Sequence, residues 1–455
     1  MYPAEQQQGE LQSFRLLLAL PRSQRVLVSN HVPSRLPRIA TPKWTRTAHY
    51  LTKMLQEKWG YSFILIDFLA DSETVEPVAV VEVRSEEWDF RSAGFISVEA
   101  SSSQPDLTPH EQSTICKIVA GDINGRGPFS RTGWIDDAQY WIRQSLRQPQ
   151  LIFSDDIQQF HAGSSLSLGR FQSDSGTAYW LKAVGYPNTH ELKVTQTLAC
   201  LCPELLPPFI AAREDWNAWV TEEVGQPLES NFGRFELERS VRCLADLQIA
   251  TTAHLDTLLD AGCFDLRTTG LRRHLPSLIE YLASAMTRQT SNRVPPMPSD
   301  RLDALGLLLK KATIKLEMLC IPDAIVHNDI NSGNILLDNS RVVFIDWSEA
   351  CIGNPFFTFQ NLLAYASESD EFGSWGPNIT QIYVERWSSI LSRDQIELAI
   401  ILSRPLAIAS YLLGRDPSFD APFRQMEHVQ SYARSLARTM DRFAKAPDFL
   451  EALCN

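Results

Sequence analysis

The run Ile325-Val-His-Asn-Asp-Ile-Asn-Ser-Gly-Asn-Ile-Leu-Leu-Asp338, continued after two residues by Arg341-Val-Val-Phe-Ile-Asp-Trp347, is the most informative stretch of this 455-residue chain. Two short apolar segments, Ile335–Leu337 and Val342–Ile345, flank a turn at Asp338–Ser340. That pattern reads as a tight hairpin, a rigid mount for the side chains at its ends. His327-x-Asp329-x4-Asn334 stands before the first segment, and Asp346 follows the second. Asp329 is a carboxylate able to receive a hydroxyl proton, while Asn334 and Asp346 offer the hard oxygen atoms that suit magnesium. A proton acceptor and oxygen ligands that hold a metal against phosphates are the groups that phosphoryl transfer asks of a protein.

Asp346-Trp347 follows Asn334 by twelve residues. With that spacing and the hairpin between, the segment resembles the aminoglycoside phosphotransferase and choline kinase family, within the protein-kinase-like fold. Its catalytic loop reads H-G-D-x-x-x-x-N, with a D-W or D-F dipeptide farther on. The resemblance implies an α+β, bilobal fold, with a small β-rich lobe at 151–228 and a large helical lobe at 229–455. It implies ATP and Mg2+ as cofactors and a small-molecule hydroxyl as acceptor. Asp329 would be the catalytic base, His327 would brace the catalytic loop, and Asn334 and Asp346 would hold the metal.

The same resemblance asks for parts upstream, and the sequence supplies them in order. Gly163-Ser164-Ser165 lies within Phe160–Phe171 and can turn tightly, offering backbone N–H and hydroxyl groups to phosphate oxygens. Lys182 closes the strand-like run Thr177–Ala183 and resembles the lysine that meets the nucleotide phosphates. Glu191 resembles its ion-pair partner, although Glu204 and Glu214 also lie downstream. Trp219–Gly225 resembles the hinge, with the purine edge expected near Glu222–Val224. The long activation segment and A-P-E element of kinases that act on polypeptides do not follow Asp346.

Three positions depart from the family pattern. Asn328 stands where the family has Gly, and Asn331 where it often has His. Thr358, in Gly353-Asn354-Pro355-Phe356-Phe357-Thr358, replaces an Asp that braces the catalytic loop. Base, metal ligands and Lys are intact, so the expectation is an active enzyme. The alternative is a catalytically silent nucleotide-binding protein whose front domain binds a partner or ligand.

Residues 1–150 carry no kinase-like feature. Strand-like runs at Phe14–Leu20, Arg25–Ser29, Phe63–Phe68 and Val78–Val83 alternate with helical patterns at Thr45–Trp59, near Pro109–Ala120 and at about Ile135–Ser145. This order resembles a Nudix-type α/β/α sandwich. Against the Nudix box, Glu57 is retained, but Lys53, Met54, Lys58, Thr45 and Ile39 occupy positions of other expected residues. One carboxylate does not assemble the metal cluster that diphosphate hydrolysis requires. A further cluster, Gly125-Arg-Gly-Pro-Phe-Ser-Arg-Thr-Gly-Trp134, reads as a Gly/Pro-rich loop before a helix, or else would pack on the kinase-like part or touch a ligand.

Composition sets outer bounds. Hydrophobic residues make up 44% and charged residues 21%, which excludes a disordered or fibrous chain. The net charge of −12 argues against a non-specific nucleic-acid or anionic-membrane binder. Leu16–Leu20 is too short for a signal core, and Arg404 and Pro405 interrupt the apolar stretch Leu398–Leu413, so a soluble, cytoplasmic chain is expected. The eight cysteines offer one close pair, Cys200 and Cys202, with no neighbouring ligand set, and read as small buried apolar residues in a reducing compartment. Acidic Glu368, Asp370 and Glu371 in the helical part would attract a cationic acceptor, or form a solvated loop.

Overall fold

The computed structural model describes residues 11–454 apart from 32–34, 44–45, 71–75, 86, 123–126, 156, 339, 368–371, 415–418 and 420. The chain divides into two compact units, Met1–Leu192 with Pro208–Glu223, and Lys193–Pro207 with Val224–Asn455. The division at Glu223/Val224 falls within the stretch read as a hinge. The front domain and most of the small lobe share the first unit.

The first unit opens with β1 (Leu11–Ala19), β2 (Arg25–Ser29), β3 (Arg38–Pro42), α1 (Thr47–Trp59), β4 (Phe63–Leu69), β5 (Val78–Val83), β6 (Phe95–Glu99), α2 (Pro109–Ala120) and α3 (Trp134–Leu146). Strand order is β4-β5-β1-β2-β6, with β3 paired to β1. Side chains alternate across a strand, so each face collects its own apolar set. Phe14, Leu16 and Leu18 of β1 pack with Ala48, Leu51 and Leu55 of α1. Leu17 and Ala19 pack instead with Ile115 and Ile118 of α2 and Ile135 and Ile142 of α3. Helix α1 stops at Gly60, whose φ of 75° is the left-handed cap an L side chain resists. Helix α2 starts on a capping box between Thr108 and Glu111. Helices thus pack on both faces of the sheet, α1 on one and α2 and α3 on the other. Glu57 is exposed, and among the described residues no group of three or more His, Cys, Asp or Glu is placed to hold a metal.

A second sheet follows, built from β7 (Gln158–His161), β8 (Leu166–Gln172), β9 (Ala178–Val184), β10 (Phe209–Arg213) and β11 (Ala218–Glu222), in the order β10-β11-β9-β8-β7. Helix α4 (Glu191–Leu201) lies between β9 and β10 in sequence and passes into the second unit after Leu192. One face of this sheet, including Phe171, Tyr179, Leu181, Ala218 and Val220, joins the core built on α2 and α3. Trp216 meets Phe129 and Trp141 edge-on at 5.4 and 5.9 Å. The two sheets also meet edge to edge: the buried carboxamide of Gln159 accepts from Leu65 N–H at 2.9 Å and donates to Leu65 C=O at 2.7 Å. It thereby satisfies the open edge of β4 beside a bulge at Leu65/Asp67. The Gly125–Trp134 cluster therefore serves packing, through Phe129 and Trp134; its Gly125 and Arg126 lie outside the described residues.

The second unit continues with β12 (Gln226–Pro227), α5 (Arg234–Thr251), α6 (Leu255–Asp260), β13 (Phe264–Leu266), α7 (Thr268–Thr287), α8 (Ser299–Met318), β14 (Ala324–His327), β15 (Ile335–Leu337), β16 (Val342–Phe344), β17 (Ala350–Gly353), α9 (Phe356–Ala366), α10 (Phe372–Trp387), α11 (Arg393–Gly414), α12 (Glu427–Ala444) and α13 (Pro447–Cys454). Small sheets of order β12-β15-β16 and β13-β17-β14 sit among these helices. Gly225, at φ 50°, lets the chain enter β12 against the Leu337 carbonyl, from which an added Cβ would lie only 2.0 Å away. Helix α11 runs through Pro405, which the sequence reading had as an interruption. By length and composition α11 could cross a membrane, yet 61% of its most apolar 18-residue window is buried inside the protein. The cysteines are free thiols, but only Cys202, Cys263 and Cys351 are buried; Cys200, Cys320 and Cys454 are exposed, which corrects the reading of the set as buried packing residues.

Candidate active site

In the second unit, β14 delivers His327 to the start of a loop that ends at β15. The ring of His327 is buried; its Nε2–H donates to the Ile345 carbonyl at 2.8 Å, and it packs on Trp347 with centroids 4.6 Å apart. A carbonyl only accepts, so this bond fixes the proton on Nε2. The backbone N–H of His327 donates to Thr358 Oγ1 at 2.9 Å. Thr358 is fully buried and thus supplies the acceptor at the position where the family pattern has Asp. His327 is a brace, not a group presented to solvent.

Asp329 is the half-exposed member of a loop whose neighbours His327, Asn328 and Ile330 are buried. The Asn334 amide Nδ2 donates to the Asp329 carbonyl oxygen at 2.8 Å and approaches its carboxylate Oδ2 at 3.4 Å. Asn331 Nδ2 donates to the same carbonyl at 3.0 Å, while its Oδ1 accepts from Gly333 N–H at 2.9 Å. Asn331 therefore closes the loop on itself. Ile345 N–H donates to the Asn334 carbonyl at 3.1 Å, so Asn334 and Asp346 stand at the same end of the β15–β16 hairpin. Asp346 adopts φ 66°, an unusual conformation for a residue with a side chain, and Ser348 Oγ donates to its Oδ1 at 2.9 Å.

With Nδ2 engaged, the oxygen of Asn334 is the atom left to act as a ligand. One amide oxygen and one carboxylate make a donor set that fits magnesium, which keeps water and substrate oxygens for its other positions.

The first unit holds the other expected residues. Lys182 on β9 reaches Glu191 at the start of α4, with Nζ–Oε1 2.5 Å; Glu191 is fully buried. Lys182 Nζ also lies 5.7 Å from the Trp219 ring centre. Of the three carboxylates open in the sequence, Glu191 is the one paired. The turn Gly163-Ser164-Ser165 joins β7 to β8. Gly163 takes φ 121° and an added Cβ would lie 3.0 Å from Asp67 Oδ1, so a front-domain side chain packs directly on the turn. Ser167 Oγ donates to the Gly163 carbonyl at 3.1 Å, and Gly185 N–H to the Ser165 carbonyl at 2.8 Å, while Ser164 and Ser165 are exposed.

At the expected hinge, Glu222 is exposed and Val224 is buried. The N–H groups of Glu222 and Glu223 are engaged with the carbonyls of Pro208 and Ala178 at 3.0 and 2.9 Å. Bidentate bonding from Arg170, at 2.6 and 2.9 Å, pulls the Glu223 carboxyl below its ordinary pKa, helped by Trp180 Nε1–H. Glu368, Asp370 and Glu371 lie outside the described residues. The sequence reading missed Asp67 and Gly185 beside the turn, and Ser410 and Gly414 on α11 behind Asn328. No signal singled out the last two, because α11 also carries Ala399, Ser403, Ala407 and Ala409.

Residues 237–393 match the phosphotransferase enzyme family. No curated protein matches the chain. Among solved structures the chain is similar to a choline/ethanolamine kinase family protein from Mesorhizobium loti, at 13% identity and a TM-score of 0.44, covering 70% of this chain and 98% of that one. It is similar to a choline kinase from Cryptosporidium parvum, at 13% identity and TM-score 0.46, over 66% and 93%. It is also similar to a macrolide 2'-phosphotransferase from Brachybacterium faecium, at 13% identity and TM-score 0.42, over 66% and 98%.

Proposed function

We propose that the chain moves the γ-phosphate of ATP to a hydroxyl of a small molecule, a reading supported by the match of residues 237–393 to the phosphotransferase enzyme family. The observation that carries this reading is the braced loop. Asn334 is bonded to Asp329 at one end of a hairpin that also presents Asp346, while His327 is bonded to Ile345. Asp329 would orient the acceptor hydroxyl and take its proton at the carboxylate. Asn334 and Asp346 would hold Mg2+, which when bound offsets negative charge on the phosphate oxygens. Lys182 would meet the nucleotide phosphates, its direction fixed by the ion pair with Glu191.

The departures from the family pattern are compatible with activity. Thr358 still accepts from His327, and Asn331 stiffens the loop by two internal bonds. No observation here favours the silent alternative. The acceptor class covers a sugar, an amino alcohol or another hydroxylated metabolite, in the cytoplasm. The test is incubation of the protein and MgATP with a panel of such compounds and with cell extract, read by mass spectrometry. The expected result is a product heavier by one phosphate that disappears with Asp329→Ala, while MgADP binding persists. Undiminished turnover by Asp329→Ala would refute the assignment.

A further inference from the structure

Asn328, one residue before the expected base, is 1% exposed and has its side chain engaged at both ends. Its Oδ1 accepts from Ser410 Oγ at 3.1 Å. Its Nδ2 donates to the Glu349 carbonyl at 3.1 Å and to Cys351 Sγ at 3.3 Å. Its backbone carbonyl accepts from Asn361 Nδ2 at 3.4 Å. The loop is thus tied to the turn that follows Asp346, to β17, to α9 and to α11.

The space for this side chain is made by Gly414. A Cβ there would lie 2.3 Å from Asn328 Nδ2 and 3.2 Å from its Cγ. Gly414 is the last residue of α11 and does not have a positive φ, so backbone freedom does not account for a glycine. Alanine would favour the helix by roughly 1 kcal/mol in an interior position. Room for the Asn328 carboxamide does account for it.

We propose that Asn328 is a positioning residue that sets the base loop against the metal-binding turn, with Gly414 as the matching vacancy. The inference rests on the phosphotransfer reading above. Asp346 holds a left-handed backbone conformation, and Glu349, three residues on, is clamped through its carbonyl by Asn328. Without that clamp the turn can relax, and Asp346 moves relative to Asn334 and Asp329. A bond that orients a metal ligand indirectly commonly changes metal affinity by about 10–100-fold when removed.

The test uses the full chain with Mn2+ as the metal probe and ADP as the nucleotide, with bound Mn2+ followed by electron paramagnetic resonance. Measurements are made well below each variant's melting temperature. Asn328→Ala should weaken Mn2+ binding by about tenfold or more while the protein stays folded, which a residue that only fills space would not do. Gly414→Ala should lower the melting temperature and weaken Mn2+ binding, because its methyl group displaces the carboxamide. The double variant Asn328→Gly with Gly414→Ala should regain the melting temperature lost by Gly414→Ala, yet keep the weakened Mn2+ binding. Wild-type Mn2+ affinity in folded Asn328→Ala, or no thermal recovery in the double variant, overturns the inference alone. A wild-type protein whose Mn2+ binding with ADP is absent, or unchanged by Asp346→Ala, overturns the parent reading and the inference with it.

Discussion

The turn Gly163-Ser164-Ser165 can be tested without touching any of its own residues, by placing one methyl group at Gly185. A Cβ built there lies 2.2 Å from the Ser164 carbonyl oxygen, 3.2 Å from its carbon and 3.3 Å from Ser165 Cα. Ordinary contact begins near 3.4 Å, so the turn must retreat by roughly 1 Å. The obstacle is backbone, which no rotamer change relieves, and the bond from Gly185 N–H to the Ser165 carbonyl is stretched as well. Gly185 does not itself have a positive φ, so alanine meets no backbone penalty of its own and the effect is purely steric. Displacements of about 1 Å at a site that orients a reacting group can cost on the order of 100-fold. Gly185→Ala is therefore expected to weaken MgADP binding by about tenfold or more and to cost about 1–3 kcal/mol of stability from overpacking. Isothermal titration with MgADP, beside urea unfolding, reads both. Gly176→Ala is the control: its φ of 88° makes alanine strained, but nothing lies within 4 Å of the added Cβ and it is remote from the 163–165 turn in sequence. It should lose stability and keep nucleotide affinity. A folded Gly185→Ala protein with wild-type affinity, or a Gly176→Ala protein that loses as much, would refute the placement of the nucleotide phosphates at this turn.

Three other outcomes are expected. Gln159→Leu removes both bonds to Leu65 and leaves a buried N–H and C=O unsatisfied, which should destabilise the first unit by about 2–4 kcal/mol in urea unfolding. Glu191→Ala strips the buried partner from Lys182, with an expected loss of about 3 kcal/mol and a marked fall in MgADP affinity by titration. Asp323 has its pKa raised from 3.8 to about 6, chiefly by burial, with Arg267 opposing and Asp265 and Glu317 adding to the rise. A carboxyl whose folded pKa is raised binds its proton more tightly in the folded state, so its contribution falls as pH climbs from 3.8 to about 6 and stays low above that. Asp323→Asn should accordingly raise the melting temperature near neutral pH, by about 1–2 kcal/mol of stability, and give no gain near pH 4. A gain that is equal at both pH values would show that charge is not its source.

What the sequence disclosed about this protein follows from how local each feature is. The hairpin from Ile335 to Phe344 and the residues at its ends were readable because strand, turn and functional side chains are contiguous, so period and spacing carry the geometry. The same holds for α1, whose apolar stripe and Gly60 cap both lie within one short run. The partner of Lys182 was open among three glutamates, since an ion pair between a strand and a helix start depends on where the connecting chain turns. The joining of residues 1–150 to the small lobe was readable only in part, through the Gly125–Trp134 cluster, and its partners were not. It depends on Gln159 meeting Leu65 and on Phe129 and Trp141 meeting Trp216, pairs from separate stretches of chain with no shared period. Asn328 shows the limit most plainly. In the sequence it is only a mismatch to a family pattern, whereas in the fold it is a buried residue bonded to Ser410, Glu349 and Cys351. A substitution beside a catalytic loop is therefore interpretable only together with the residue that makes room for it, here a glycine 86 positions later in the chain.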